Sequence, residues 1–128
     1  MRVLFDTHLL IWALTDSPRL SAEASALIRD PDIEPHFSIA SVWETAIKFG
    51  LGRRDFVIHP KIMRRNLLND GYTELALEPD HVFTLLELPK LHRDPFDRIL
   101  VAQARAEGIS LMTSDNSVAA YGASIRLV

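Results

Sequence analysis

Short apolar runs alternate with helical segments along the whole chain, and this alternation restricts the fold more than any other feature of the sequence. The runs that predict strands cover residues 2–5, 35–39, 72–77, 109–113 and 125–128. The segments that predict helices cover residues 8–14, 21–28, 41–50, 61–70, 80–86 and 95–107. The pattern predicts a three-layer α/β/α domain with a mainly parallel central sheet of about four to five strands.

The composition is that of a globular protein with a single domain spanning residues 1–128. Hydrophobic residues make up 48% of the chain and charged residues 24%, which argues against disorder. The chain has no cysteine, so disulfides, zinc–thiolate sites and thiol nucleophiles are excluded. Asp6 interrupts the first apolar run too early for a signal peptide, and no later run has the length of a membrane span. We therefore expect a cytoplasmic protein without a membrane partner.

Four acidic residues fall where an apolar run ends or a helix begins: Asp6, Glu44, Asp97 and Asp115. The carboxyl ends of parallel strands share one edge of a sheet, and ligands bind at that edge in such folds. Several carboxylates gathered there raise one another's pKa values, so they need a compensating cation. A hard divalent ion with oxygen ligands, Mg²⁺ or Mn²⁺, fits this requirement. The sequence predicts a metal site formed by these four acids.

Three of the four acids also have a purely structural interpretation. Asp6 is suited to cap the helix that follows it. The pattern Ser41-x-x-Glu44 fits a capping box, in which Glu44 would bond back to the amide of Ser41. Asp115 lies in a Thr-Ser-Asp-Asn sequence that is typical of a turn. The coincidence of all the acids at one predicted edge favours the metal site.

The segment around Pro95 offers two aspartates for one position in that site. Proline is favoured at the first position of a helix, which makes Asp94 the N-cap. Asp97 then lies in the first turn and projects from the same helix end. This spacing predicts a structural role for Asp94 and a functional role for Asp97, although the two could exchange roles.

The remaining charged and aromatic residues give weaker signals. The net charge of −3 argues against a broadly basic nucleic-acid surface, but residues 48–65 contain six bases and one acid. That segment is either a solvated face or a contact for RNA phosphates. His8 and His92 flank the predicted site without the paired spacing of a zinc motif. For Trp12 and Trp43 we predict core or interface positions in preference to base stacking.

Four stretches of the sequence resemble the PIN-domain family, and within it the VapC-type toxins of bacterial toxin–antitoxin pairs. They are VLFDTH at residues 3–8, SIASVWE at 38–44, HRDPFDRILVAQA at 92–104 and LMTSD at 111–115. The resemblance covers nearly the whole chain, in order and with the family's spacing. It implies that the metal-binding acids are Asp6, Glu44, Asp97 and Asp115. The family's fourth acid can also lie further downstream, but Val118 occupies that position here.

The resemblance also implies an activity and partners. The activity would be that of a Mg²⁺- or Mn²⁺-dependent endoribonuclease that hydrolyses RNA phosphodiester bonds. The partners would be a cognate VapB-like antitoxin and a second copy of the chain, since such toxins commonly form homodimers, with a hetero-oligomer as a further form. Thr7 and Thr113, beside the acids, could orient ligands or simply stabilise helix starts.

Two other classes of protein remain as alternatives. A phosphorelay receiver domain shares the length, the α/β sheet and an acidic Mg²⁺ pocket. It requires an aspartate after its middle strand and a lysine after a late strand, whereas no lysine follows Lys90 here. The second alternative is a non-catalytic binding module in which all the acids are helix caps. Such a module should show no site-specific Mn²⁺ binding.

Overall fold

Strands and helices alternate in the structure much as the sequence predicts. The structure is a computed structural model that describes residues 1–91, 93–122 and 124–128. The strands in these ranges are β1 (Arg2–Phe5), β2 (Glu34–Ser38), β3 (Thr73–Leu75), β4 (Ser110–Thr113) and β5 (Ile125–Leu127). The helices are α1 (Thr7–Leu14), α2 (Ala22–Arg29), α3 (Ile39–Gly50), α4 (Pro60–Asn69), α5 (Pro79–Leu85), α6 (Pro95–Glu107) and α7 (Asn116–Ala119).

The five strands form one parallel sheet in the order β3-β2-β1-β4-β5. In the register of the sheet, Leu4 of β1 lies between His36 of β2 and Leu111 of β4. The chain builds the sheet outward on one side through β3 and then returns to the other side of β1 with β4. The order therefore reverses between β1 and β4, and the crevice at such a switch point is where open α/β sheets bind ligands. Receiver domains have the order 2-1-3-4-5, so that alternative is excluded.

The side chains of β1 alternate between two cores, one on each face of the sheet. Leu4 points into a cluster with Leu100 and Val101 of α6. Val3 and Phe5 point into the opposite cluster, which includes residues of α1, α2 and α4. All three strand residues are fully buried. Burial on both faces explains why the last three residues of β1 are all apolar, and it confirms the three-layer arrangement.

Local capping signals placed several helix ends correctly. Asp94 caps α6, Pro95 occupies its first turn, and Gly108 ends it with a positive φ of 67°. A left-handed backbone at this position favours glycine. Ser21 caps α2, also as its sequence predicts.

The starts of α3 and α5 differ from the sequence predictions, and one helix, α7, was not predicted. Helix α3 begins at Ile39 because Ser38, the last residue of β2, accepts a hydrogen bond from the amide of Ala40. Helix α5 has Glu78 at its N-cap in place of the predicted Asp80, and the Glu78 amide donates to Nδ1 of His81. Helix α7 was not predicted, since its four residues follow a sequence typical of a turn. In the part of the chain that the structure describes, no helix is long and apolar enough to cross a membrane.

Candidate active site

Asp6 lies at the switch point of the sheet, directly after β1. Its side chain is only 5% exposed. Oδ1 accepts a hydrogen bond from the amide of Leu9 at 3.0 Å, which confirms Asp6 as the N-cap of α1. Oδ2 accepts a hydrogen bond from the hydroxyl of Thr113, the last residue of β4. Asp6 therefore ties together the two strands between which the sheet order reverses.

The environment of Asp6 opposes its negative charge. Burial raises the pKa of this carboxyl above its ordinary value, and the hydrogen bonds from Thr113 and Leu9 offset only part of that effect. A nearby cation would favour the ionised form. The site is therefore one in which a bound metal ion would compensate a charge that the protein alone accommodates poorly.

Glu44 lies inside α3, and the capping-box interpretation of this residue is wrong. The helix starts two residues before Ser41, and the hydroxyl oxygen of Ser41 accepts a hydrogen bond from Thr7 at 2.9 Å. The Glu44 side chain is buried, with 2% of the residue exposed. Its Oε2 accepts a hydrogen bond from Lys48, while Oε1 has no hydrogen-bond partner among the described residues. A buried carboxylate oxygen without a donor is costly, and a cation ligand is one reason to retain it.

Lys48 places a positive charge inside this acidic region. Its Nζ lies 2.6 Å from Oε2 of Glu44 and 3.9 Å from Oδ2 of Asp94. The same ammonium lies 5.0 Å from the ring centroid of Phe56 and 5.6 Å from that of Phe96. Cation–π contacts of this kind stabilise a partly desolvated ammonium. The sequence analysis placed Lys48 in the basic segment that could contact phosphates. The four-residue spacing between Glu44 and Lys48 on one helix was a local signal for the ion pair that the structure shows.

Asp94 and Asp97 occupy the positions that the sequence predicts for them at the start of α6. Oδ1 of Asp94 accepts hydrogen bonds from the amides of Phe96, at 2.8 Å, and Asp97, at 3.2 Å. The other oxygen of Asp94 faces Lys48. Asp97 lies in the first helical turn and is half-buried. The helix start thus brings the Asp94 carboxylate to the neighbourhood of the pair formed by Glu44 and Lys48.

Asp115 lies just beyond β4 and caps the short helix α7. Oδ1 accepts hydrogen bonds from the amide of Ser117 at 2.8 Å and from its hydroxyl at 2.6 Å. The amide of Asp115 donates to the hydroxyl oxygen of Thr113 at 3.1 Å. That hydroxyl in turn donates to Asp6, so one threonine links the two acids. Asp115 is exposed, in contrast to Asp6 and Glu44.

Side-chain contacts connect the elements of the fold that carry the four predicted acids. Thr113 links Asp6 to Asp115, and Thr7 and Ser41 join the starts of α1 and α3. Lys48 links Glu44 to the start of α6. Among the described residues, however, no group of three or more acids and histidines lies close enough to hold a metal ion. The assignment of these acids as metal ligands therefore stays a prediction.

His8, one of the two histidines predicted to flank the site, is held by contacts with neighbouring side chains. Nε2 of His8 lies 3.1 Å from Oδ2 of Asp55, and the imidazole ring packs against Trp12 and Phe56. His92, the other histidine predicted to flank the site, lies outside the described residues.

Two clefts open beside Trp12, and one of them reaches Asp115. The first, the Asp115 cleft, has a volume of about 380 Å³ and is lined by His8, Trp12, Arg19, Ser114, Asp115 and Asn116. The second, the Arg54 cleft, has a volume of about 240 Å³ and includes Ile11, Trp12, Arg19, Arg54, Asp55 and Val57. Sequence reasoning did not identify these clefts, because their walls come from segments far apart in the chain.

Comparison with known families identifies the fold. The model of the PIN domain family matches residues 3–123. The chain belongs to the PIN-domain family. No curated protein sequence is significantly similar to it.

Solved structures of toxin–antitoxin complexes share the fold of this PIN domain. VapBC2 from Rickettsia felis, solved with a DNA fragment from its promoter, has 13% identity and a TM-score of 0.72, covering 100% of this chain and 98% of that chain. A toxin–antitoxin complex from Klebsiella pneumoniae has 20% identity and a TM-score of 0.67, covering 97% and 95%. VapBC-1 from nontypeable Haemophilus influenzae has 17% identity and a TM-score of 0.58, covering 90% and 87%. At these identities the likeness establishes the fold alone.

The donor set of this PIN domain fits a hard divalent ion. Asp6, Glu44, Asp97 and Asp115 offer only carboxylate oxygens, which Mg²⁺ and Mn²⁺ prefer over the nitrogen and sulfur ligands typical of zinc. Oε1 of Glu44, which has no hydrogen-bond partner in the described part of the chain, and the unfavourable burial of the Asp6 charge both favour a cation here.

Replacing Lys48 by methionine tests how the buried charge of Glu44 is balanced. Without metal, the variant should lose roughly 3 kcal/mol of unfolding free energy, because a buried charge is left without its partner. The double variant Lys48→Met/Glu44→Gln should recover most of that loss, as a double-mutant cycle from urea denaturation in EDTA would show. Additive losses in the cycle would mean that the pair is not coupled in solution.

Proposed function

We propose that this PIN domain is a Mg²⁺- or Mn²⁺-dependent endoribonuclease and the toxin of a toxin–antitoxin pair. PIN domains are generally nucleases. The observation that carries the proposal is the pair of buried carboxylates, Asp6 and Glu44, at the ligand-binding edge of the sheet. Burial raises the pKa of Asp6 and so disfavours its charged form. Glu44 keeps one carboxylate oxygen without a hydrogen-bond partner among the described residues. Helix capping accounts for Asp6 but leaves Glu44 unexplained.

The residues of the site have distinct roles in this proposal. Asp6, Glu44, Asp97 and Asp115 would hold the ion, which when bound lowers the pKa of a water and stabilises the leaving oxygen of the phosphodiester. The hydroxyl of Thr113 fixes the orientation of the Asp6 carboxylate. Lys48 holds Oε2 of Glu44 and leaves Oε1 for the ion. One of the carboxylates would accept the proton of the attacking water.

The proposed protein partners are a VapB-like antitoxin and a second copy of the chain. The similar structures include complexes of toxins with antitoxins. Several large apolar side chains of this chain are exposed, among them Trp43 at 58%, Phe83 at 62% and Leu86 at 86%. Phe83 and Leu86 lie three positions apart at the end of α5, and apolar side chains that form a contiguous exposed patch are typical of protein interfaces. Ile11 and Leu88, by contrast, are buried in the core.

Incubation with total cellular RNA tests the activity. The purified chain should generate new 5′ ends at defined positions in the presence of Mg²⁺ or Mn²⁺, and EDTA should suppress them. The Asp6→Asn variant, prepared identically, controls for a contaminating ribonuclease. Cleavage that is the same with EDTA, or the same in the variant, would contradict the proposal. Absence of both cleavage and site-specific Mn²⁺ binding would favour the non-catalytic binding module.

The paired aspartates of α6 should show opposite phenotypes. Asp94→Ala should lower the free energy of unfolding by about 1 kcal/mol through loss of the helix cap and retain most RNA cleavage. Asp94→Asn, which preserves the cap, should be nearly as stable as the wild type. Asp97→Ala should mainly cost cleavage. Urea denaturation and a cleavage assay on the three variants check this, and an inactive but stable Asp94→Ala beside an active Asp97→Ala would reverse the two roles.

A further inference from the structure

Trp12 forms the wall between the Asp115 cleft and the Arg54 cleft. It lies on α1 and is half-buried, so one part of the indole is anchored while another lines both clefts. Arg19, an exposed residue of the connection between α1 and α2, lines both clefts as well. The Asp115 cleft reaches one of the predicted metal ligands, and the Arg54 cleft adjoins it through the shared residues Trp12 and Arg19.

We propose that these two clefts bind the nucleotides of single-stranded RNA that flank the cleaved bond. A base stacks on Trp12, and backbone phosphates pair with Arg19 and Arg54. The inference rests on the proposed ribonuclease function, and it adds the residues that hold the substrate outside the acidic centre.

The surroundings of Trp12 make it a preformed platform. Its ring lies against the imidazole of His8, with centroids 5.7 Å apart, and His8 is held by Asp55 at 3.1 Å. A base that stacks on an aromatic side chain contributes about 1–3 kcal/mol, with little dependence on its identity. The aromatic ring is fixed before the ligand arrives, so little side-chain entropy opposes stacking.

The charges along the clefts favour a polyanion. Arg19 and Arg54 are exposed on the walls. The acid beside them, Asp55, is already engaged by His8 at 3.1 Å and by Arg53 at 3.8 Å. A phosphate chain entering here meets one arginine in the Asp115 cleft and two in the Arg54 cleft beside the same aromatic ring, and basic groups with an aromatic side chain are the combination typical of single-strand binding grooves. An apolar protein helix would meet few apolar side chains, mainly Ile11, Trp12 and Val57.

The arginines of α4 differ from Arg19 and Arg54, because neither of them lines the Asp115 cleft or the Arg54 cleft. The guanidinium of Arg64 makes two hydrogen bonds to Glu74, at 2.6 and 3.1 Å. Arg65 is exposed and lines neither of the two clefts. Of the six bases in residues 48–65, the structure therefore favours Arg54 for RNA contact, together with Arg19 from outside that segment.

The two tryptophans of the chain allow the two surfaces to be observed separately. Trp43 is 58% exposed on α3, packs against Phe96 at 5.0 Å and lines neither cleft. The Trp43→Phe variant reports on Trp12 alone, and Trp12→Phe reports on Trp43 alone. Both are studied with a mixed-sequence single-stranded RNA of twelve nucleotides in Mg²⁺, in an Asp6→Asn background that should not cut.

RNA should quench the fluorescence of the variant that retains Trp12 and leave that of the variant that retains Trp43 unchanged. Trp12→Leu, which keeps bulk but has no ring, should weaken RNA binding roughly 5- to 100-fold, while Trp12→Phe should bind almost as well as the parent. Replacing Arg19 or Arg54 by alanine should flatten the dependence of log K on log salt by roughly 0.7 for each contact, and Arg65→Ala should not. Melting temperatures identify any variant that is misfolded. If a variant of Trp12 is misfolded, the fluorescence quenching of the folded Trp43→Phe protein shows whether RNA contacts Trp12.

Equal quenching of the two tryptophans, or equal affinity of Trp12→Leu and Trp43→Leu, would overturn the inference even if the wild type cuts RNA. Quenching of Trp12 by an antitoxin but not by RNA would overturn it too and make the clefts a protein-binding surface. Conversely, selective quenching by RNA in a chain that never cuts RNA would support the binding site and contradict the proposed nuclease activity.

Discussion

Asp6→Asn should abolish RNA cleavage while leaving the fold intact. Asparagine caps a helix as well as aspartate does, so α1 keeps its start. The amide carries no charge, so the variant should bind a divalent ion poorly, and the cleavage rate should fall by roughly 100-fold or more. Replacing a residue that only supports a metal ligand already lowers metal affinity or activity about 10- to 100-fold. Cleavage of a labelled RNA and Mn²⁺ titration measure the two effects.

The metal-free stability of Asp6→Asn should equal or exceed that of the wild type. The folded protein raises the pKa of Asp6, so the native state binds the proton more tightly than the unfolded chain does. The ionised carboxylate therefore destabilises the wild type at neutral pH, and this penalty fades as the pH falls through the raised pKa towards the ordinary value of 3.8, below which it is absent. The advantage of the variant should fade in the same range, as melting curves in EDTA would show.

Two controls separate the charge of Asp6 from its cap. Asp6→Ala should lose about 1 kcal/mol through the missing cap, in addition to cleavage. Asp80→Asn changes an exposed acid of α5 and should leave cleavage unchanged. A lower melting temperature for Asp6→Asn together with full cleavage would show that Asp6 is only a cap.

Glu44→Gln should also remove RNA cleavage, by roughly 100-fold or more, for the same loss of ligand charge. Glutamine keeps the size of the side chain, and Lys48 retains Asp94 at 3.9 Å, so the fold should persist. The position of Glu44 inside α3 makes this a sharp test, because no capping role remains to explain an effect. Glu74→Gln, which changes another glutamate paired with a base, is the matched control. Near-native cleavage by Glu44→Gln would remove Glu44 from the site.

Local signals in the sequence predicted those parts of the fold that depend on local chemistry. The apolar run of β1 and the Asp94-Pro95 start of α6 are defined by neighbours in the chain. The order of the strands is a tertiary property, and alternation alone could not provide it. The sequence nevertheless placed Asp6 beside a strand end, because the carboxyl edge is common to all parallel arrangements.

Competing local caps and long-range contacts together account for the errors. Ser41 and Glu44 have the spacing of a capping box, but Ser38 starts the helix from within β2, and Thr7 engages the Ser41 hydroxyl from α1. The start of α5 likewise depends on His81, a buried residue that Glu107 of α6 contacts at 2.9 Å. No pattern within a few residues indicates the contact of Thr7 with Ser41 or the contact of Glu107 with His81.

The position of a bound ion tests the central claim most directly. Crystals of the wild type soaked in Mn²⁺ should show an anomalous peak at coordination distance, about 2 Å, from carboxylate oxygens of Asp6 and Glu44, with Asp97 or Asp115 completing the set. Crystals of Asp6→Asn under the same conditions should lack that peak. A wild-type peak only at other residues, or none in a protein that cuts RNA equally well in EDTA, would contradict a metal-dependent ribonuclease centred on these acids.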